Sequence, residues 1–128
     1  MIKQMGCIKG DNYYSVNFVD DRNRLVGFDD KQQCCEQADW FFAKMSDDDI
    51  FHFENSGEYG PDEFPSVSNP DLSNAYFTEE QPLMDYGKFR IEGSPDCNWL
   101  VLYNYHNGYY YHGFIYKQGD KVIVEDDI

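Results

Sequence analysis

Trp99-Leu-Val-Leu-Tyr-Asn-Tyr-His-Asn-Gly-Tyr-Tyr-Tyr-His-Gly-Phe-Ile-Tyr116 is the stretch on which the fold turns. Aromatic and branched residues dominate it, as a pleated surface prefers, and Asn107-Gly108 supplies the two positive-φ residues of a type I′ turn. The spacing predicts a β-hairpin over 99–116. In that register His106 pairs with Tyr109, Tyr105 with Tyr110, Asn104 with Tyr111 and Tyr103 with His112. Alternation puts His106, Tyr109, Asn104 and Tyr111 on one face, above Leu100, Leu102 and Ile115. Tyr103, Tyr105, Tyr110 and His112 share the other, above Trp99, Val101, Phe114 and Tyr116. Both faces are apolar at the base, so the hairpin is expected to be buried there and to emerge toward its turn. Tyr, His and Asn at such a tip form an adaptable contact surface; tyrosines packed with their hydroxyls in water give the same pattern without a site.

Outward from the hairpin, Lys88-Phe-Arg-Ile-Glu92 alternates as a strand with Phe89 and Ile91 inward. Gly93-Ser-Pro-Asp96 is a turn, Lys117-Gln-Gly-Asp120 another, and Lys121-Val-Ile-Val124 a last strand. Residues 88–124 thus read as an antiparallel meander. Near the start, residues 12–19 predict a strand with Tyr14, Val16 and Phe18 on one face, Asp20-Asp-Arg-Asn23 a turn, and Arg24-Leu-Val-Gly-Phe28 the returning strand. This first hairpin needs the second as a sheet partner, because two isolated strands are rarely stable in water.

Between them, Asp30 and Gln33 have the spacing of a capping box, which predicts a helix over 31–45. Cys34, Ala38, Phe41, Phe42 and Met45 would form its apolar stripe, and Lys44 in the last turn would complement the macrodipole. Trp40-Phe41-Phe42 suits a strand equally well. Ile50-Phe-His-Phe53 is a short apolar run with His52 on the opposite face. From Glu54 to Asn74 the chain is rich in Gly, Pro, Ser and Asn, and Pro61, Pro65 and Pro70 exclude a helix or central strand. It reads as a long loop that docks through its apolar side chains. The expected fold is α+β in one domain spanning 1–128: an antiparallel aromatic-rich sheet crossed by one helix and covered by a loop.

Aromatics make up 18% of the 128 residues, with 11 Tyr and 10 Phe, so ring packing must supply much of the core. Asp and Glu number 24 against 10 Lys and Arg, a formal net charge of −14 that disfavours direct contact with nucleic acid or anionic lipid. No run approaches the roughly 18 apolar residues of a membrane span, and Met1–Lys9 lacks the apolar segment of a signal peptide. A cytoplasmic protein is expected. The four cysteines, Cys7, Cys34, Cys35 and Cys97, match no zinc motif or disulfide framework, and reduced thiols are the expectation.

Asp30-Lys-Gln-Gln-Cys-Cys-Glu36 and Tyr103-Asn-Tyr-His-Asn-Gly-Tyr-Tyr110 resemble the Cys-Cys-Glu and His-Asn-Gly-Tyr-Tyr motifs of a group of small uncharacterised proteins from bacteriophages and bacterial genomes. The resemblance implies a phage or mobile-element context within a bacterial host cell. It also raises the question of whether Cys34, Cys35 and Glu36 meet His106 and Asn107 in space.

Cys35, His106 and Asn104 have the residue types of a nucleophile, a base and an orienting group. Small core cysteines explain the same residues. Adjacent cysteines on a helix point about 100° apart and do not readily grip one ion, so no metal or cofactor is expected. Asp47, Asp48 and Asp49, Glu79 and Glu80, and Glu125-Asp-Asp127 are dense carboxylate runs. Such runs keep a protein soluble, and they can also imitate the phosphate charge of nucleic acid. The function expected from the sequence is that of a non-enzymatic binding protein whose acidic surface occupies a basic nucleic-acid-binding site on a host protein. Its contacts would come from those carboxylates and from Asn104, His106, Tyr109 and Tyr111. A Cys/His enzyme or metal site and a structural or assembly role are the alternatives, and the oligomeric state is left open.

Overall fold

The computed structural model describes residues 1–6, 14–31, 37–46, 66–78, 87–105 and 112–127. Among them it contains nine strands: β1 (Lys3–Met5), β2 (Val16–Val19), β3 (Arg24–Phe28), β4 (Gln37–Ala43), β5 (Tyr76–Phe77), β6 (Gly87–Glu92), β7 (Trp99–Tyr105), β8 (Gly113–Gln118) and β9 (Lys121–Asp127). They form two antiparallel sheets, one of five strands in the order β1-β2-β3-β8-β9 and one of four in the order β4-β7-β6-β5.

Period-two alternation decides which side chains meet between the sheets. Val16 and Phe18 of β2, Val26 and Phe28 of β3, and Phe114 and Tyr116 of β8 face Ala38 and Phe42 of β4, Phe77 of β5, Phe89 and Ile91 of β6, and Leu100 and Leu102 of β7. Edge-to-face aromatic pairs bridge the layers. Phe18 meets Trp40 at 4.8 Å and Phe42 at 5.8 Å between ring centroids, and Phe89 meets Tyr116 at 5.3 Å and Phe114 at 6.0 Å. Each such pair contributes about 0.5–1.5 kcal/mol beyond its buried area. The four-stranded sheet is apolar on its outer face too, where Phe41, Ala43, Met45, Trp99, Val101 and Tyr103 form a second buried cluster.

That two-sided burial explains why residues 37–43 of the expected helix over 31–45 form a strand; 32–36 lie outside the described residues. Ala38 and Phe42 enter the inter-sheet core while Phe41 and Met45 join the outer cluster. An unbroken apolar run shows the same spacings as a helical stripe when both faces of a strand are covered. The described residues contain no helix, so the described architecture is all-β where α+β was expected. Lys44 complements no helix end; its Nζ donates to Pro95 O at 3.2 Å.

The described flanks of the expected 99–116 hairpin, β7 and β8, belong to different sheets. β7 pairs with β4 and β6, whereas β8 pairs with β3 and β9. Tyr103 lies opposite Asp39 and Asn104 opposite Ala38 on β4, and the expected pairings of Asn104 with Tyr111, Tyr105 with Tyr110 and His106 with Tyr109 fall on residues outside the described ones. The 88–124 meander survives as two separate pairings, β6 with β7 and β8 with β9. The first hairpin stands as expected, with Val16 opposite Phe28 and Val19 opposite Leu25, and it joins the second half of the 99–116 stretch through β3 and β8. Tyr14 departs from its expected face: it precedes the strand, and its ring lies over Gly27, where an added Cβ would stand 3.1 Å from Tyr14 Cγ and 2.8 Å from Asn17 Oδ1. The described part of the 54–74 loop, 66–74, contains no strand or helix, and Leu72 packs on the core as a docking residue.

A buried polar clamp ties the sheets together at β5. Asp20, only 6% exposed, accepts from Arg22 N and Arg24 N through Oδ1, each at 2.9 Å, and from Phe77 N through Oδ2 at 2.9 Å. Arg24 Nη1 donates to Phe77 O at 2.8 Å, and the Tyr116 hydroxyl donates to Thr78 O. Thr78 N in turn donates to Arg90 O on β6 at 3.1 Å. Alternation along β5 thus turns the backbone of Phe77 away from β6 and toward the other sheet, whose side chains satisfy both of its groups.

Asp20→Ala removes three charge-assisted acceptances and strands buried donors, so it should cost about 3 kcal/mol or more in urea unfolding; a loss below about 1 kcal/mol would show the clamp to be incidental. Gly93 has φ +85°, and a Cβ there would lie 2.1 Å from Asn74 O. Gly93→Ala should lower stability by about 2–4 kcal/mol, measured in the same way, and an unchanged midpoint would contradict the close approach of these two segments.

Candidate functional site

β9 is the most exposed long element of the framework. It pairs only with β8 among the described residues, and Lys121, Val122, Glu125, Asp126 and Asp127 are all exposed. Backbone directions follow from one bond. Gly113 O accepts from Asp29 N at 2.9 Å, so Gly113 and Ile115 address β3 while Phe114 and Tyr116 address β9. Their partners Asp126 and Val124 return those bonds, which leaves the N–H and C=O groups of Glu125 and Asp127 pointing away from the sheet. Asp127 N donates instead to Asp126 Oδ1 at 2.8 Å. Ile123 and Val124 of β9 pack half-buried against the core.

The other sheet edges differ. β1 has three residues, and the free edge of β5 is filled by Asp20 and Arg24. β4 is bridged at Ala43 by Ser66, and Val67 N donates to Phe42 O at 2.7 Å. Beside β4 lies a shallow cavity of about 460 Å³ lined by Gln4, Trp40, Phe42, Val67, Pro70 and Leu72, among others. At its end of β4, partial burial raises the Asp39 carboxyl above its ordinary value; the Trp40 N–H lowers it and the charge of Asp30 raises it further.

On the outer face of the four-stranded sheet two cations crowd one ring. Lys88 Nζ lies 4.7 Å and Arg90 Cζ 5.2 Å from the centroid of Trp99. Lys88 is 5% exposed, so the indole face offsets part of its lost hydration. At the surface, Arg22 covers Tyr76 at 3.6 Å, and the Tyr76 hydroxyl donates to Glu92 at 3.1 Å.

Of the residues singled out from the sequence, Asn104 lies on β7 opposite Ala38. Cys34, Cys35, Glu36, His52, His106, Asn107, Tyr109, Tyr111, Asp47, Asp48, Asp49, Glu79 and Glu80 lie outside the described residues, as do Cys7 and Tyr110. His112 is buried, and its Nδ1 donates to Asp29 O at 2.6 Å, which makes it a strand-joining residue. Cys97 is a buried free thiol whose pKa burial pushes up; the Ser94 hydroxyl at 3.7 Å opposes that shift and the charge of Asp96 adds to it. No group of three or more His, Cys, Asp or Glu among the described residues could hold a metal ion. No helix among them is long and apolar enough to cross a membrane.

The Asp20 clamp and the cation pair on Trp99 were missed by sequence reasoning. Asp20 carried only a turn signal, and the alternation of Lys88 and Arg90 with Phe89 and Ile91 marked them as outward-facing without revealing the ring beneath. No protein-family model, no curated protein and no solved structure matches the chain.

Because Asp39 has a raised carboxyl pKa, its ionised form is disfavoured by folding, and stability is lost as pH rises through that pKa. Asp39→Asn should therefore gain stability relative to the wild type as pH rises from 2.5 to 7. Thermal melts at both pH values check this; no relative gain between them would contradict the assignment.

Proposed function

We propose that this chain is a small, non-enzymatic, phage-associated binding protein that acts in the bacterial cytoplasm by occupying a basic nucleic-acid-binding surface of a host protein. The observation that carries this is the formal net charge of −14 together with its distribution. The β framework is nearly balanced, with Lys3, Arg22, Arg24, Lys31, Lys44, Lys88, Arg90, Lys117 and Lys121 among its residues. Half of the carboxylates, but only Lys9 among the cations, belong to the segments outside the described residues. Within the framework, Glu125, Asp126 and Asp127 add an exposed acidic strand end.

A partner recognised through such charge is released by salt and competes with nucleic acid for the same groove. Immobilised protein should retain a basic, nucleic-acid-binding protein from a bacterial lysate at low salt. Affinity for the purified partner should fall about tenfold or more between 50 and 200 mM salt, and duplex DNA should displace it. Binding indifferent to salt and to duplex, or no basic protein retained at low salt, overturns the proposal.

A further inference from the structure

We propose that the outer edge of β9 is an acceptor for a basic extended segment of the partner, which adds to the five-stranded sheet as a further strand. This rests on the reading of the chain as an acidic binding protein and names the surface that would do the binding. A sheet ends somewhere, and its last strand presents unpaired backbone groups that another strand can satisfy. Among the described residues the other edges are short, bridged or capped: β1 has three residues, β4 is tied at Phe42 and Ala43 to Val67 and Ser66, and β5 is closed by Asp20 and Arg24. β9 has seven residues and pairs only with β8 among the described residues; the N–H and C=O of Glu125 and the C=O of Asp127 point outward, while the Asp127 N–H is held by Asp126 Oδ1.

Side chains select the occupant. Directly opposed residues on neighbouring antiparallel strands have Cβ atoms about 4.5–5.5 Å apart, where opposite charges stabilise and like charges destabilise. Glu125, Asp126 and Asp127 are exposed on consecutive positions, so both faces of an added strand meet a carboxylate. A second copy of β9 is repelled by the same groups, and a strand rich in Lys or Arg is attracted. The register shift between Tyr116 and Lys117, opposite Val122–Val124, increases the local twist and confines the straight part of the edge to Val124–Asp127. The segment accepted is therefore short, and charge rather than length supplies its specificity.

Two labelled peptides test this by fluorescence anisotropy at low salt: Lys-Val-Lys-Val-Lys-Val-Lys, which favours a strand, and the same peptide with its valines replaced by proline, which has equal charge and no backbone donors at those positions. The alternating peptide should bind wild-type protein at least about tenfold tighter than the proline peptide. Glu125→Gln, which keeps the outward N–H, should weaken the alternating peptide about two- to fivefold, whereas Glu125→Pro, which keeps the β8 ladder but loses that N–H, should weaken it about tenfold more. On binding, the Glu125 amide should gain protection from hydrogen exchange in the wild type, a readout independent of how well the proline variant folds. Equal binding of the two peptides, equal effects of the two substitutions, or no gain of protection overturns strand addition while leaving the charge-based function standing. If neither peptide binds at low salt, the acidic-binding reading falls with it.

Discussion

Phe77 sits on a two-residue strand whose outward backbone groups would face the interior between two sheets, and the structure is arranged so that neither is left unsatisfied. Asp20 takes the N–H, Arg24 supplies the C=O, and Tyr116 secures the next carbonyl at Thr78. An unpaired backbone group in such a place costs about as much as a lost hydrogen bond, so these bonds set where the sheets meet. The rings follow from that placement. Tyr116 can reach Thr78 only while its ring lies against Phe77 and Phe89, at 6.3 and 5.3 Å, and Phe89 extends the contact to Phe114. The polar clamp and the aromatic core are therefore two descriptions of one junction.

Local alternation was legible in the sequence and long-range pairing was not. Val16 with Phe18, Phe89 with Ile91, and Leu100 with Leu102 each occupy the common inter-sheet core that their spacing implied. Arg24–Phe28 and the turn before it stand where the residues placed them. Asn107-Gly108, by contrast, suggested a hairpin between stretches that belong to different sheets, because a turn signal says nothing about which ladder each flanking strand joins. The residues from Ala38 to Met45 read as a helix because the second apolar layer around Trp99 and Tyr103 could not be foreseen, and without it Phe41 had no reason to be buried. The candidate site is less legible still. Of the residues named from the sequence for binding or chemistry, Asn104 falls on β7, where its backbone pairs β7 to β4, and Glu125, Asp126 and Asp127 fall on β9.

The framework keeps its cations where they act structurally, with Arg24 in the clamp, Lys88 and Arg90 on Trp99, and Arg22 on Tyr76. Carboxylates in the framework include turn-building Asp20 and Asp71, the latter held below its ordinary pKa by the Ser73 hydroxyl and N–H, and the exposed Glu125, Asp126 and Asp127 of β9. The first set is already committed to backbone donors. The second is presented outward, where it can act on another molecule and where it also guards the sheet against pairing with itself.

The junction at Phe77 is tested most directly by native-state hydrogen exchange of its amide. Local fraying of a two-residue edge strand would expose that amide at a small fraction of the unfolding free energy, whereas a clamp that joins the sheets releases it only when they separate. The Phe77 amide should therefore exchange with the same opening free energy as the ladder amides of Leu100 and Leu102, and that energy should fall with denaturant at the slope of global unfolding. Exchange within minutes at neutral pH, with no dependence on denaturant, would contradict the role given to Asp20, Arg24 and Tyr116.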